Sequence, residues 1–530
     1  MTIRVLSENV SQPITAKFCV IGAGFAGILI ARKLAQAGHR VVLLESGYRS
    51  IDAPTQTLGE LDGGSNRLAG PQEGRLRGLG GASRQWAGRL LPLSASDVGE
   101  RHHIGLAGWP ITYNDLDRYR REVELMFGVD DGSYEENAVA DLRLGAIVPR
   151  NDPDITPRYP KWINFRQCDL AYLFKQELDD SELIEVWLGA TVTTFKLDND
   201  TCNLNSVVAE SLSGHRLQVN SANFILAAGT IETTRLLLLL NRQSDDRAFE
   251  GCSALGCFFQ DHLGGTLGYL VPRDAFISNR WFGYHLFNTG RRSVHLETTA
   301  KAQAEDRAAS GFAHVFWDIP VNSSMEVLKN FIRGLQSGKA NLPMRGLLRL
   351  GMDTGQMARM LWWRYRWNQL FIPETMGLKL HIWIEQVPNA ASRITLSNQV
   401  NRLGTPRASV NWQVTQEDEH TVRKIVDRVR GYWMRSGLAA ACPIQWVAQV
   451  ADREARLTDL MADVFHPSGT TRMGIRPADS VVDSNLSCHN IGNLTVCSAS
   501  VFPVPGSANP TLALMQLALR AGDHLAVKGR

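Results

Sequence analysis

The apolar positions change their spacing twice between residues 17 and 45. Phe18 to Ile21 is a short apolar run, glycines interrupt it, and Ile28 to Ala37 repeats at helical spacing until Gly38. Val41 to Leu44 is a second apolar run, so the order predicts strand, tight turn, helix, strand. Residues 60–90 carry Gly and Arg with little periodicity and read as an extended, ligand-shaping loop. Residues 114–127 predict one helix, capped by Asn114 or Thr112. Alternation over 186–229 predicts strands that end in Asn223 to Gly229, followed by a leucine-rich helix from Ile231 to Leu240. Between about 265 and 455 tryptophans become frequent, and stretches such as Leu378 to Gln386 and Arg393 to Leu396 alternate like a mixed or antiparallel sheet. Residues 416–436 predict a charged amphipathic helix, and the last 70 residues return to strand, Gly-rich turn and helix. The expected class is α/β, α+β overall, with a Rossmann-type unit and a second unit on a mixed sheet with helices.

Composition narrows the function. A chain of 530 residues with 44% hydrophobic content supports two or more domains. Its 56 basic and 53 acidic residues leave a formal charge of only +3, which gives no electrostatic footprint for nucleic acid. The eight cysteines form no CxxC pair and no zinc spacing, so reduced, partly buried thiols and no metal site are expected. The N-terminus lacks a basic start followed by a long apolar run, and Leu236 to Leu240 is too short to span a bilayer. The expectation is a cytoplasmic protein with no integral membrane segment; loose membrane association stays open.

Gly22-Ala-Gly24-Phe-Ala26-Gly27 fits G-x-G-x-x-G, follows a predicted strand and opens a predicted helix. Gly22 permits the turn, Gly24 lets a pyrophosphate approach, and Gly27 allows helix to pack on strand. The second strand ends in Glu45-Ser46, where the carboxylate can accept from a ribose diol and would repel the 2′-phosphate of NADP. The fingerprint alone does not separate FAD from NAD.

Four distant segments together resemble the glucose–methanol–choline (GMC) oxidoreductases. They are Gly78 to Arg89 with Gly108-Trp-Pro-Ile111; Ala227-Ala-Gly229 with Ile231 to Leu236; Glu385 to Pro388 with Ser392 to Leu396; and His466 to Gly474 with Val482-Asp483, Asn493 to Val496 and Ser507 to Thr511. The sugar and polyol dehydrogenase and pyranose oxidase-like branch is most similar. The resemblance implies FAD, held in a discontinuous domain of residues 1–105, 180–265 and 460–530, with a substrate domain of 106–179 and 266–459. It assigns to the cofactor Gly80, Gly81, Ser83, Trp86 and Gly88 in the shielding loop, Val192 at the adenine end, Ala228, Gly229 and Glu232, then Ser498, Ala499, Asn509, Pro510 and Thr511. Some members attach the flavin through a histidine where Gln85 stands here, so non-covalent FAD is expected. Ala87 replaces a frequent glycine, and Ser498 a frequent aspartate.

The same resemblance makes His466 the base for oxidation of an alcohol, with hydride passing to the flavin N5. A histidine suits the task because its ordinary pKa is about 6.5. The competing reading of His466 is a buried structural imidazole. Asn509 is expected beside it on the substrate oxygen; its competing reading is a helix cap ahead of Pro510. The resemblance implies a small-molecule alcohol as substrate, with O2, a quinone or another acceptor reoxidising the flavin. Alternatives are a non-redox lyase or isomerase with structural flavin, and a non-catalytic flavoprotein. His262 is expected to support packing, and His102, His103 and His489 have no partner pattern. The cluster Trp362 to Trp367 is expected to pack its aromatics into the second domain, with stacking on a substrate as its other reading.

Overall fold

The computed structural model describes residues 3–63, 67–135, 138, 151–198, 202–287, 290–321, 323–337 and 353–529. One sheet sets Ile3–Val5, Ile184–Leu188, Val41–Glu45, Ile14–Ile21, Arg216–Leu226, Leu204–Glu210 and Thr191–Leu197 side by side, and Leu494–Val496 also pairs with Arg216–Leu226. Pairing is parallel from Ile3–Val5 to Arg216–Leu226 and again to Leu494–Val496, then antiparallel through the last two strands. Parallel strands bury both faces, which explains why Phe18 to Ile21 and Val41 to Leu44 are continuous apolar runs. This is the Rossmann-type architecture the opening pattern predicts. The first helix runs Phe25–Gln36, three residues ahead of its clearest apolar repeat, and packs on the terminal helix Pro510–Lys528.

A second, antiparallel sheet runs in the order Ile444–Trp446, Leu263–Leu270, Gly377–Ile384, Gly311–Asp318, His295–Thr298, Ile155–Arg158, and Ala462–Asp463 also pairs with Leu263–Leu270. The period of two sorts its side chains. Leu378, Leu380, Ile382 and Ile384 face the helix Gln416–Arg435, which brings Val422, Ile425, Val426 and Val429. Thr415 and Asp418 cap that helix reciprocally. The alternate positions are His381 and Trp383, and pairing sets His295, His314 and His381 in a row across three strands.

Three details differ from the sequence reading. Residues 114–127 form two short helices, Tyr113–Asp117 and Arg120–Met126, because the chain turns at Tyr119, whose hydroxyl reaches Asp523 at 3.0 Å; Thr112 is the cap. The loop at 60–90 contains a helical turn, Gly70–Glu73, and a 3-10 turn, Gly81–Arg84. In the helix Thr354–Trp367, Trp363 is buried and Trp367 meets Phe276 edge-to-face with Arg280 over its ring, whereas Trp362 and Tyr365 are exposed. The eight cysteines are unpaired. Among the described residues no helix is long and apolar enough to cross a membrane.

Candidate active site

A cavity of about 740 Å³ opens at the carboxyl ends of the central parallel strands, at the upper end of ordinary ligand sites. Three helices begin on it: Phe25–Gln36, Thr230–Gln243 and Pro510–Lys528, whose caps are Gly24, Gly229 and Asn509. None of the three caps spends a side chain on its helix, so three sets of free N–H groups and three positive dipole ends converge there. Such an arrangement suits phosphates and electron-rich ring oxygens.

The fingerprint glycines divide into two kinds. At Gly22 (φ 103°) a Cβ would meet the Ala227 carbonyl oxygen at 2.7 Å, and at Gly27 it would lie 1.8 Å from the Gly22 carbonyl oxygen. The protein itself demands these two. At Gly24 no protein atom lies within 4 Å of the Cβ position, although Gly24 lines the cavity. The space there is open to the cavity.

Glu45 lines the cavity with Ser46, and its carboxylate also organises the loops. It accepts from Ala23 N at 2.9 Å, Gly47 N at 2.8 Å and Gly78 N at 3.0 Å. Glu232 is paired with Arg235 at 2.7 Å and Arg77 at 2.8 Å. Burial alone would push its carboxyl up, but the guanidiniums of Arg235 and Arg77 hold it well below the usual range. Arg75, Arg77 and Arg407 line the same cavity and leave it a positive wall.

Gly22, Gly24, Ala26, Glu45, Ser46, Gly81, Val192, Ala228, Gly229, Glu232, His466, Ser498, Ala499, Pro510 and Thr511 are brought together on this cavity, as is Gln85. Gly27, Gly80, Ser83, Trp86, Gly88 and Asn509 are not on its lining. Ser83 Oγ donates to the Gly80 carbonyl at 2.6 Å and accepts from Leu170 N at 3.0 Å. Trp86 donates to the Cys168 carbonyl at 2.9 Å and sets its ring edge-on to Phe25, while the Gly88 carbonyl accepts from Ile163 N at 2.7 Å. These residues brace the loop from behind. Ser498 Oγ is engaged with Ser500 Oγ at 2.5 Å.

His466 sits at the edge of the cavity, after Phe465 in the left-handed region (φ 67°), a conformation costly for a residue with a Cβ. Asp261 holds that bend by accepting from the backbone N–H of His466 at 2.9 Å and of Val464 at 3.3 Å. Asn509 Nδ2 lies 3.1 Å from His466 Nε2, so the side chain expected as a possible cap is turned to the histidine instead. His262 Nδ1 lies 2.9 Å from His466 Nδ1, and His262 Nε2 lies 2.5 Å from the Gly506 carbonyl oxygen. Hence His262 does more than the packing expected of it.

These contacts fix the protons. A carbonyl only accepts, so His262 Nε2 carries hydrogen and, in the neutral ring, Nδ1 is a lone pair. His466 Nδ1 must then donate to it, which leaves the lone pair of His466 on Nε2, facing the Asn509 amide. Burial pushes His262 down to about 4, and burial, His262 and Arg89 hold His466 well below the ordinary histidine value. Both rings are neutral near pH 7. The sequence marked His262, in Phe259-Gln-Asp-His262, only for packing, and Arg89 only as the end of the loop segment.

A dinucleotide-sized cavity on a Rossmann-type sheet, with a neutral histidine at its edge, fits an oxidoreductase that uses a bound dinucleotide. Residues 388–518 match the family model described as GMC oxidoreductase, and residues 20–66 match one described as a Rossmann-like NAD(P)-binding domain. These matches support an FAD-dependent oxidoreductase, with residues 388–518 carrying the GMC oxidoreductase model. It is 23% identical to 2-methyl-1,2-propanediol dehydrogenase of Mycolicibacterium austroafricanum, covering 96% of this chain and 94% of that one. It is 21% identical to the fructose dehydrogenase large subunit of Gluconobacter japonicus, covering 97% and 98%. Its fold is shared with formate oxidase (TM-score 0.59, 16% identity, 98% and 99% covered). Pyridoxine 4-oxidase from Mesorbium loti has the same fold (TM-score 0.56, 18% identity, 96% and 99% covered).

Proposed function

We propose that this protein oxidises an alcohol to a carbonyl, with His466 Nε2 taking the hydroxyl proton. The observation that carries the proposal is the chain Gly506, His262, His466, Asn509, which presents a neutral imidazole with its lone pair on Nε2. FAD, when bound, supplies the acceptor for the hydride that leaves the carbinol carbon. The substrate hydroxyl takes the place of the Asn509 amide at Nε2, and Asn509 then donates to the substrate oxygen. Relatives named for a diol and for fructose support polyols and sugars as the field in which to search, and their names favour a dehydrogenase over an oxidase.

The residues present fit FAD. The open space at Gly24 and the three uncapped helix ends receive a pyrophosphate and an electron-rich ring. Glu45 and Ser46 would hold the adenosine ribose, Val192 the adenine, and Pro510 and Thr511 the pyrimidine end, with Gly81 and Gln85 closing over it. We read residues 1–105, 180–265 and 460–530 as the FAD-binding domain and 106–179 and 266–459 as the substrate domain; the first set supplies every strand of the Rossmann-type sheet, while Ala462–Asp463 crosses to the second sheet. Gln85 offers no nucleophile for a flavin bond, so acid precipitation should release all the flavin into the supernatant. A yellow pellet would overturn non-covalent binding. Anaerobic mixing with a panel of alcohols tests the reaction itself: a substrate bleaches the flavin, whereas a lyase turns over without bleaching it.

A further inference from the structure

Arg89, just beyond the loop segment that ends in Gly88, is 6% exposed. It has no carboxylate partner among the described residues. Its Nη1 donates to His295 Nε2 at 3.3 Å, and its buried Nε has no acceptor. The guanidinium lies over Trp162 at 4.4 Å and Trp383 at 5.3 Å, and Arg291 adds a second cation 4.7 Å from the Trp162 ring. Burial and Arg291 push Arg89 down to about 10, so it remains charged at neutral pH. A buried cation without a carboxylate partner is costly, and a ligand that supplies the counter-charge offsets that cost.

The unpaired groups around it have a direction. His295 accepts from Arg89 through Nε2, so its hydrogen is on Nδ1, which is buried without a partner. His314, next in the histidine row, has neither nitrogen bonded, and one of them carries hydrogen. The unmet groups at the Arg89 end are therefore mainly donors. At the other end the reverse holds: His466 Nε2 is a lone pair and the buried Asn509 Oδ1 has no donor. Trp383 joins the two ends, with its ring 5.3 Å from the Arg89 guanidinium, 4.7 Å from His314 and 5.7 Å from His466.

Resting on the alcohol-oxidation reading, we infer that the substrate is a hydroxy acid, its carboxylate held by Arg89 and its reacting hydroxyl delivered to His466. The planar fork of the guanidinium, Nε with Nη2, matches a carboxylate two-pronged. The two ends lie 5.3 and 5.7 Å from the centroid of the one Trp383 ring, so one small molecule can carry the carboxylate at one end and the reacting hydroxyl at the other. A phosphate monoester would engage the same fork, so phosphorylated diols enter the test as the competing class.

The test uses the holoenzyme, anaerobically, with a ladder of ω-hydroxy carboxylates, each paired with its neutral methyl amide, and with phosphorylated diols of similar length. At the matching length the carboxylate should bleach the flavin with kcat/KM at least about tenfold above its amide. Arg89→Met should lower kcat/KM for carboxylates roughly a hundredfold and bring acid and amide within about twofold, while Arg89→Lys keeps part of the preference. Equal rates for acid and amide in the wild type would overturn the proposal, as would preference for the phosphates. Should Arg89→Met fail to retain FAD, the wild-type ladder and Arg89→Lys decide. If no alcohol, charged or neutral, bleaches the flavin, the alcohol-oxidation reading fails. The carboxylate site is then read alone, from quenching of tryptophan fluorescence by carboxylates lacking a hydroxyl. Saturable quenching in the wild type and its loss in Arg89→Lys or Arg89→Met support the site; its absence in the wild type removes it.

Discussion

At the scale of single residues, the neutral lone pair on His466 Nε2 depends on a residue 204 positions away in the chain. His262→Phe removes the acceptor for His466 Nδ1–H and so frees the ring to adopt the unproductive tautomer. We expect kcat for flavin reduction to fall roughly tenfold to a hundredfold with FAD content unchanged. The acid limb of kcat/KM should also move. As the proposed base, His466 acts only when unprotonated, and burial with His262 and Arg89 keeps its pKa well below the ordinary value, so wild-type activity should persist below about pH 6.5. Burial, the main cause, persists without His262, so the limb shifts upward but stays below that value; a profile that does not move would remove the positioning role. The motif around His466 and Asn509 was legible in the sequence because each sits in a run of distinctive neighbours. His262 was not, since a contact between the second sheet and a loop is set by tertiary packing. Arg89 was visible only as the end of a loop, and its lack of a partner is a property of the folded interior.

At the scale of elements, the opening strand, turn and helix were legible because parallel strands buried on both faces leave unbroken apolar runs. The glycines of the turn carry a prediction that separates fold from ligand. Gly27→Val places side-chain atoms where the Gly22 carbonyl lies 1.8 Å from the Cβ, so thermal stability should drop without FAD and with it. Gly24→Val meets no protein atom within 4 Å of its Cβ, so the apoprotein should melt within about 2 °C of wild type while retained FAD falls severely. Loss of apoprotein stability in Gly24→Val would show that the space there serves the protein. The loop at 60–90 was not legible in detail. Ser83, Trp86 and Gly88 answer to residues 163–170, far along the chain, and no local period records such contacts. The terminal helix start was legible from Asn509 and Pro510, but the asparagine side chain serves its neighbour His466 and leaves the helix uncapped.

At the scale of the whole molecule, the antiparallel sheet was legible as alternation, while the chemistry of its polar face was not, because strand order decides which histidines meet. Burial leaves many imidazoles neutral in the folded chain, among them His285, pushed down to about 3 by burial and Arg280. The unfolded chain protonates it below about pH 6.5, so its contribution is fully present above that pH and is lost as pH falls toward 3. His285→Gln lacks this penalty. Compared with wild type, its stability should therefore improve as pH is lowered from about 7 to about 4, by roughly 3 kcal/mol. Parallel urea melts across that range measure it, and a constant difference would contradict a neutral buried His285. The account as a whole stands on proton removal by His466 next to bound FAD, and stopped-flow absorbance under anaerobic conditions tests that most directly. With an alcohol that bleaches the wild-type flavin, His466→Ala should keep its FAD and lose about 10²- to 10⁴-fold in the rate of bleaching. Bleaching at the wild-type rate in His466→Ala would contradict the account.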